Sequence, residues 1–279
     1  TGLRECIGEL MEHPLWKDRQ AWKASAPKWK RRGCGIGCMS HAMGYPAAIP
    51  DQASARLELK KDGTFRLYSG ISDMGQGNTS TYVRIAAAIL DQDGAAIELL
   101  QPDTSHDLPS GSSSASRTTY IFGNAVIEAA VVLKEAILRC AARSSGYDDI
   151  DAVELVPGRV RVKESGRSIP LSDIAGLMDD ADRSQKGHFR APHDDSTLPV
   201  LYLGAHVIFS YGAHLARIEV DILTGEIDIV DYVAVTDAGK VLNRCVYDQQ
   251  VQGSIAQGIG YALMEEYVVK EGRQETGDL

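Results

Sequence analysis

The chain has 279 residues, enough for two or more compact units, and a net charge of −9 that leaves no Lys/Arg surplus for a general nucleic-acid binder. No apolar run approaches the roughly 20 residues that a membrane-spanning helix needs. Five scattered cysteines without a secretory leader point to a reducing cytoplasm, with Cys34 and Cys38 read as buried structural thiols.

Residues 1–32 hold Trp16, Trp22 and Trp29 among many Lys and Arg, with Pro14 and Pro27 breaking the helical pattern. A helix over Leu3–Glu12, with Cys6, Ile7, Leu10 and Met11 on one face, makes this a lead-in that docks elsewhere on the protein; an aromatic-basic functional strip is the sharper reading. From Gly33 a glycine-rich start leads to Ala55–Leu59, a Lys61-Asp62-Gly63 turn and Thr64–Tyr68, the alternation expected of a hairpin. Met74-Gly75-Gln76-Gly77-Asn78 precedes a periodic helix over Thr79–Leu90. A small-polar loop, Ser110–Thr119, precedes a long buried helix over Asn124–Ala142.

Residues 149–203 read as strand, Pro157-Gly158 turn, strand (Val160–Val162) and a short helix near Leu171–Met178, closing in a polar surface loop over Asp179–Ser196. From Gly204 the first plan returns: Ala216–Val220, a Leu223-Thr224-Gly225 turn, Glu226–Val230, then a loop to Gln252-Gly253 and a helix. The two hairpins stand roughly 160 residues apart. The expected fold is therefore α+β (mixed α/β), with two pseudo-repeated hairpin-plus-helix subdomains around a small hairpin/helix segment: 1–32 lead-in, 33–148 first repeat, 149–203 small segment, 204–279 second repeat. Thr1 and Leu279 both read as internal points of a longer polypeptide.

Three stretches call for chemistry. The Met74–Thr79 turn would offer free backbone N–H groups and a positive helix end to an anion, or is simply a capped strand-to-helix turn. Ser112–Thr119, one arginine among hydroxyls, reads equally as a pyrophosphate cradle and as a solvated capping loop. In Asp248–Gly258, four glutamines near a helix start exceed what a plain turn requires and read as a binding stretch, or else as helix capping with exposed glutamines. The seven histidines show no ligand spacing, and His206 and His214 read as satisfied structural residues.

These stretches, with Pro102-Asp103-Thr104, Val220-Asp221, Thr224-Gly225, Asp237-Ala238-Gly239 and Gln257-Gly258-Ile259-Gly260, resemble the C-terminal half of the molybdopterin-binding subunit of the xanthine dehydrogenase and aldehyde oxidase family, from about Gly33 to Glu266. The resemblance implies that Gln76 faces the pterin, that Ala115, Ser116 and Thr118 surround pterin and phosphate, and that Gln257 is a further contact. Gly75, Gly77, Arg117, Gln249 and Gln250 would line a dinucleotide portion, such as that of molybdopterin cytosine dinucleotide (MCD).

It further implies hydroxylation of a carbon centre in an N-heterocycle or aldehyde with water as oxygen source. [2Fe-2S] and FAD would reside in partner chains or domains of a hetero-oligomer, beside the other part of the molybdopterin-binding subunit. The family's glycine-rich Gly-Gly-Phe-Gly-Gly-Lys-like segment and its Gly-Glu glutamate are not in this sequence, and Glu265 and Glu266 lie on the wrong motif. No catalytic residue is assigned. A non-catalytic scaffold that keeps the fold without cofactor stands as the alternative.

Overall fold

Two main sheets, each carrying helices, organise the chain as the α+β class requires. The computed structural model describes residues 2–46, 49–105, 108–192, 206 and 208–276; His106, His193 and the 203/204 boundary lie outside them. In chain order come α1 (Gly2–Glu12), α2 (Pro14–Lys17), α3 (Arg19–Ala24), β1 (Lys30–Met43), β2 (Gln52–Leu59), β3 (Phe65–Tyr68), α4 (Asn78–Leu90), β4 (Ile97–Leu100) and α5 (Thr118–Ser144). Then follow β5 (Val153–Val156), β6 (Arg159–Val162), β7 (Ser168–Pro170), α6 (Leu171–Leu177), α7 (Asp180–Arg183), β8 (Ser184–Arg190), β9 (Ile208–Asp221), β10 (Ile227–Asp237), α8 (Arg244–Leu263), β11 (Val269–Lys270) and β12 (Arg273–Gln274).

The first sheet has the order β4-β3-β2-β8. Strict alternation in β2 buries Ala53, Ala55, Leu57 and Leu59 on the face covered by α5, and the small residues let the helix lie close. β2 and β3 form the expected hairpin, whereas β3 and β4 run parallel across the α4 connection. The short β5-β6-β7 sheet and α6 pack on α5.

The second sheet, β1-β9-β10, is antiparallel throughout and carries α1 on one face. Hairpin followed by helix thus occurs twice, as β2–β3 to α4 and as β9–β10 to α8. β1 begins at Lys30, crosses the 32/33 division, and pairs with β9 over its whole length. The lead-in is bolted to this sheet: Arg217 of β9 donates to the Leu15 carbonyl and to Asp18, and lies 4.7 Å from the Trp22 ring. Arg19 over Trp16, at 4.0 Å, and Arg32 over Trp22, at 4.9 Å, use the aromatic-basic strip internally.

Several sequence expectations are corrected. α5 starts at Thr118, not Asn124, because Phe122 packs edge-on against Tyr82 with centroids 4.6 Å apart and Gly123 admits Ile85; tertiary contact overrides the β-leaning Thr-Thr-Tyr-Ile-Phe run. The anticipated surface loop after Asp179 contains α7 and the edge strand β8, paired with β2 from Gln52↔Arg190 to Glu58↔Ser184. Met11 is exposed, since one narrow stripe of α1 meets the sheet. Cys38 is exposed and Cys34 only half-buried, because α1 covers just part of β1. Among the described residues no helix is long and apolar enough to cross a membrane.

Candidate functional site

Arg117 sets the shape of the serine loop. Its side chain is fully buried, and Nε donates to Asp51 Oδ1 at 2.6 Å. Nη1 donates to the Ser110 and Ser112 carbonyls at 2.8 and 3.0 Å, and Nη2 to the Gln52 carbonyl at 2.8 Å. The guanidinium also sits 4.7 Å from the Tyr45 ring, whose hydroxyl meets Ser112 Oγ at 2.6 Å. That contact with Ser112 is the main reason the Tyr45 phenol is held below its ordinary value. Arg117 therefore braces the loop from behind, its side chain fully buried and four of its five N–H donors engaged within the fold.

The braced loop holds two consecutive non-glycine residues in the left-handed region, Ala115 at φ 53° and Ser116 at φ 50°. The Ala115 carbonyl accepts from Gly44 N at 2.9 Å, which pins the loop to the end of β1. α5 then begins without a side-chain cap, and its first intrahelical bond runs from Ile121 N to the Arg117 carbonyl. The N–H groups of Thr118, Thr119 and Tyr120 accordingly lack a helical acceptor. The positive end of a 27-residue helix faces the cleft with them.

The Gln76 turn is built differently from the expectation. Asp73 already supplies the anion at the start of α4, its carboxylate accepting from Gly75, Gly77 and Thr79 N–H at 2.9, 3.2 and 3.0 Å. Burial tends to raise the Asp73 pKa, but these hydrogen bonds outweigh it and hold the carboxyl below its ordinary range. The free N–H groups lie at α5, not at α4. The Gln76 amide accepts from Met74 N at 2.6 Å and donates to the Ser72 carbonyl at 3.2 Å, and Ser113 Oγ donates to that same carbonyl at 2.8 Å. Turn and serine loop are thus tied together.

The glutamine-rich stretch lies within α8 and not before it. Asn243 caps the helix, accepting from Val246 N at 3.4 Å, and its Nδ2 donates to Ser80 Oγ of α4 at 3.0 Å. Gly77, at φ 76°, lets α8 come close: a Cβ there would stand 3.0 Å from Val246. With α8 starting at Arg244, Gln249 and Gln250 fall in its second turn and offer side-chain amides only.

One open cleft of about 530 Å³ gathers Met74, Gly75, Gln76, Ser113, Ser114, Ala115, Ser116, Thr118 and Gln250. It brings together six of the sequence-predicted residues: Gly75, Gln76, Ala115, Ser116, Thr118 and Gln250. Gly77 supports its wall, Arg117 lies behind it, and Gln249 is exposed beyond it. Gln257 is exposed on the same face of α8 as Gln250, two turns or about 10 Å along. Gln76, Ser116, Thr118 and Gln250 also line a groove of about 420 Å³ running between α4 and α8 toward Lys240.

Asp51, Asp73, Tyr45 and Asn78 escaped the sequence reading. Only Asp73 carried a local signal, an Asx residue two positions before a glycine. His214 Nδ1 meets the Tyr232 hydroxyl at 2.9 Å and His206 Nδ1 the Met43 carbonyl at 3.4 Å, so both histidines are partnered as expected. Among the described residues no three His, Cys, Asp or Glu side chains converge as a metal site.

Residues 9–279 match the family model described as molybdopterin cofactor-binding domain. The chain is 30% identical over 282 residues to the Escherichia coli (strain K12) protein named "Probable hypoxanthine oxidase XdhD", covering 100% of this chain and 28% of that protein. It is 27% identical over 249 residues to a Bacillus subtilis (strain 168) protein named as a probable xanthine dehydrogenase subunit, covering 89% of this chain and 32% of that one. The fold recurs in the crystal structure of quinoline 2-oxidoreductase from Pseudomonas putida 86, with a TM-score of 0.79 and 20% identity over 98% of this chain and 36% of that one. The chain thus spans between 28% and 36% of the length of these relatives. With the match running through the turn, the serine loop and α8, the chain belongs to the molybdopterin cofactor-binding domain of the xanthine dehydrogenase family.

Proposed function

We propose that this chain cradles the molybdenum–pyranopterin cofactor of a hydroxylase that oxidises a carbon centre in an N-heterocycle or aldehyde. The observation that carries this reading is the convergence of three polar stretches, remote in sequence, on one cleft. The residues fit such a group. The uncapped start of α5 suits a phosphate, while the amides of Gln76 and Gln250 and the hydroxyls of Ser116 and Thr118 suit a ring system that alternates donors and acceptors. When bound, the cofactor supplies the chemistry that transfers a water-derived oxygen to carbon.

What this chain contributes is holding and orientation. Arg117 fixes the loop, Ser116 and Thr118 face the cleft, and Gln76 lines it while its amide ties the turn together through Met74 and Ser72. The groove toward Lys240 favours a dinucleotide form such as MCD, with Gln249 and Gln257 available along α8 to a longer ligand. N-heterocycles as the substrate class draw support from two relatives whose names specify hypoxanthine and quinoline. A hetero-oligomer with the rest of the molybdopterin-binding subunit and with [2Fe-2S] and FAD chains is supported by a relative named as one subunit of a larger enzyme. Five free cysteines agree with the cytoplasm.

Metal analysis and pterin fluorescence on the complete complex test the reading. Gln76→Ala and Gln250→Ala are expected to lower molybdenum and pterin content together. An active, complete complex free of both molybdenum and pterin would overturn it.

A further inference from the structure

Asn78 opens α4 and is only 4% exposed, yet neither Nδ2 nor Oδ1 has a hydrogen-bond partner. A buried carboxamide with both ends unmet costs free energy, and folded proteins keep few of them. Capping does not explain it, because Asp73 already takes the N–H groups at the start of this helix. One turn on, Tyr82 is 1% exposed and its hydroxyl is also without a partner. Burial pushes that phenol up to about 12, with Thr118 and Asn78 beside it pulling the other way.

Asn78 lines the groove that continues the cleft, close to Gln76, Ser116 and Thr118. A carboxamide presents a donor and an acceptor side by side, the complement of a lactam edge in which N–H stands next to C=O. Val241, Leu242 and Val246 across the groove supply apolar surface for a flat ring, and Lys240 a charge for an anionic tether.

We propose that Asn78 pairs with a lactam edge of the heterocycle bound across cleft and groove, and so determines which ligand is retained. The proposal rests on the cofactor-binding reading above. A pterin ring carries such an edge, and the cytosine of a dinucleotide tail carries an equivalent pair, its amino N–H beside a ring-nitrogen acceptor.

The test uses the complete subunit with its partners. Asn78→Leu keeps the volume and removes the amide. Pterin and molybdenum retained after dialysis are expected to fall about tenfold. The same variant, produced cofactor-free in a host unable to make the cofactor, should unfold at a higher temperature than cofactor-free wild type, because an unmet amide has been removed. Loading with mononucleotide or dinucleotide cofactor separates the sources: loss of both forms assigns the edge to the pterin, and loss of the dinucleotide form alone assigns it to the base. Wild-type retention of both forms overturns the proposal, as does a lowered unfolding temperature in the cofactor-free variant, which would give the amide to the fold. A wild-type complex without pterin sinks the cofactor-binding reading itself, and this proposal with it.

Discussion

Arg117 shows how a residue can matter to a site without touching what binds there. Removing one member of a fully buried ion pair costs about 3–5 kcal/mol, so Arg117→Met and Asp51→Ala should each lower stability by that amount in denaturant unfolding. The pair shares one hydrogen bond, so the double variant should lose less than the two single losses combined. The left-handed residues behave oppositely. Ala115→Gly removes a cost of about 1–2 kcal/mol for left-handed backbone, partly offset by glycine's entropy in the unfolded chain. The cofactor-free protein should become slightly more stable, while cofactor retention falls because the loop is no longer held in shape. Asp73 brings a pH effect. Its folded pKa is depressed, so its stabilisation is present above the ordinary value of 3.8 and is lost as pH falls through the lower folded value. Hydrogen exchange at the start of α4 should quicken in acid below that value, and Asp73→Asn should remove the dependence.

At the scale of elements, closeness between α5 and the first sheet depends on Gly187. A Cβ there would collide with the Ala125 carbonyl and stand 2.5 Å from Ala129 N, both backbone atoms that cannot swing aside. Gly187→Ala should therefore cost about 3 kcal/mol. Gly176→Ala in α6, where nothing lies within 4 Å of the added carbon, should instead stabilise by roughly 0.5–1 kcal/mol; thermal unfolding of the two variants compares them. The β2–β3 hairpin and α4 were legible in the sequence because their signals are local: alternation around Asp62-Gly63, and apolar period after Gly77. β8 was not, because Gln185, Lys186 and His188 suit an exposed edge as well as a loop, and only α5 explains the glycine. The early start of α8 was hidden because its cap, Asn243, lies upstream of the motif and because Gly253, Gly258 and Gly260 interrupt the helical pattern.

On the scale of the whole molecule, the cleft exists because two halves meet. The site motifs were legible through their order and family likeness, whereas the roles within them were not: which arginine is buried, and which helix start stays uncapped, depends on partners far along the chain. Asp51 and Arg117 are 66 residues apart, and Ser80 and Asn243 are 163 apart. Contacts between distant segments are the slow ones to form in folding. A chain with either half misassembled has no finished cleft to offer. Cofactor uptake would then act as an inspection step, passing only molecules in which the long-range closures are complete, and the loaded fraction of a preparation would report the quality of its folding.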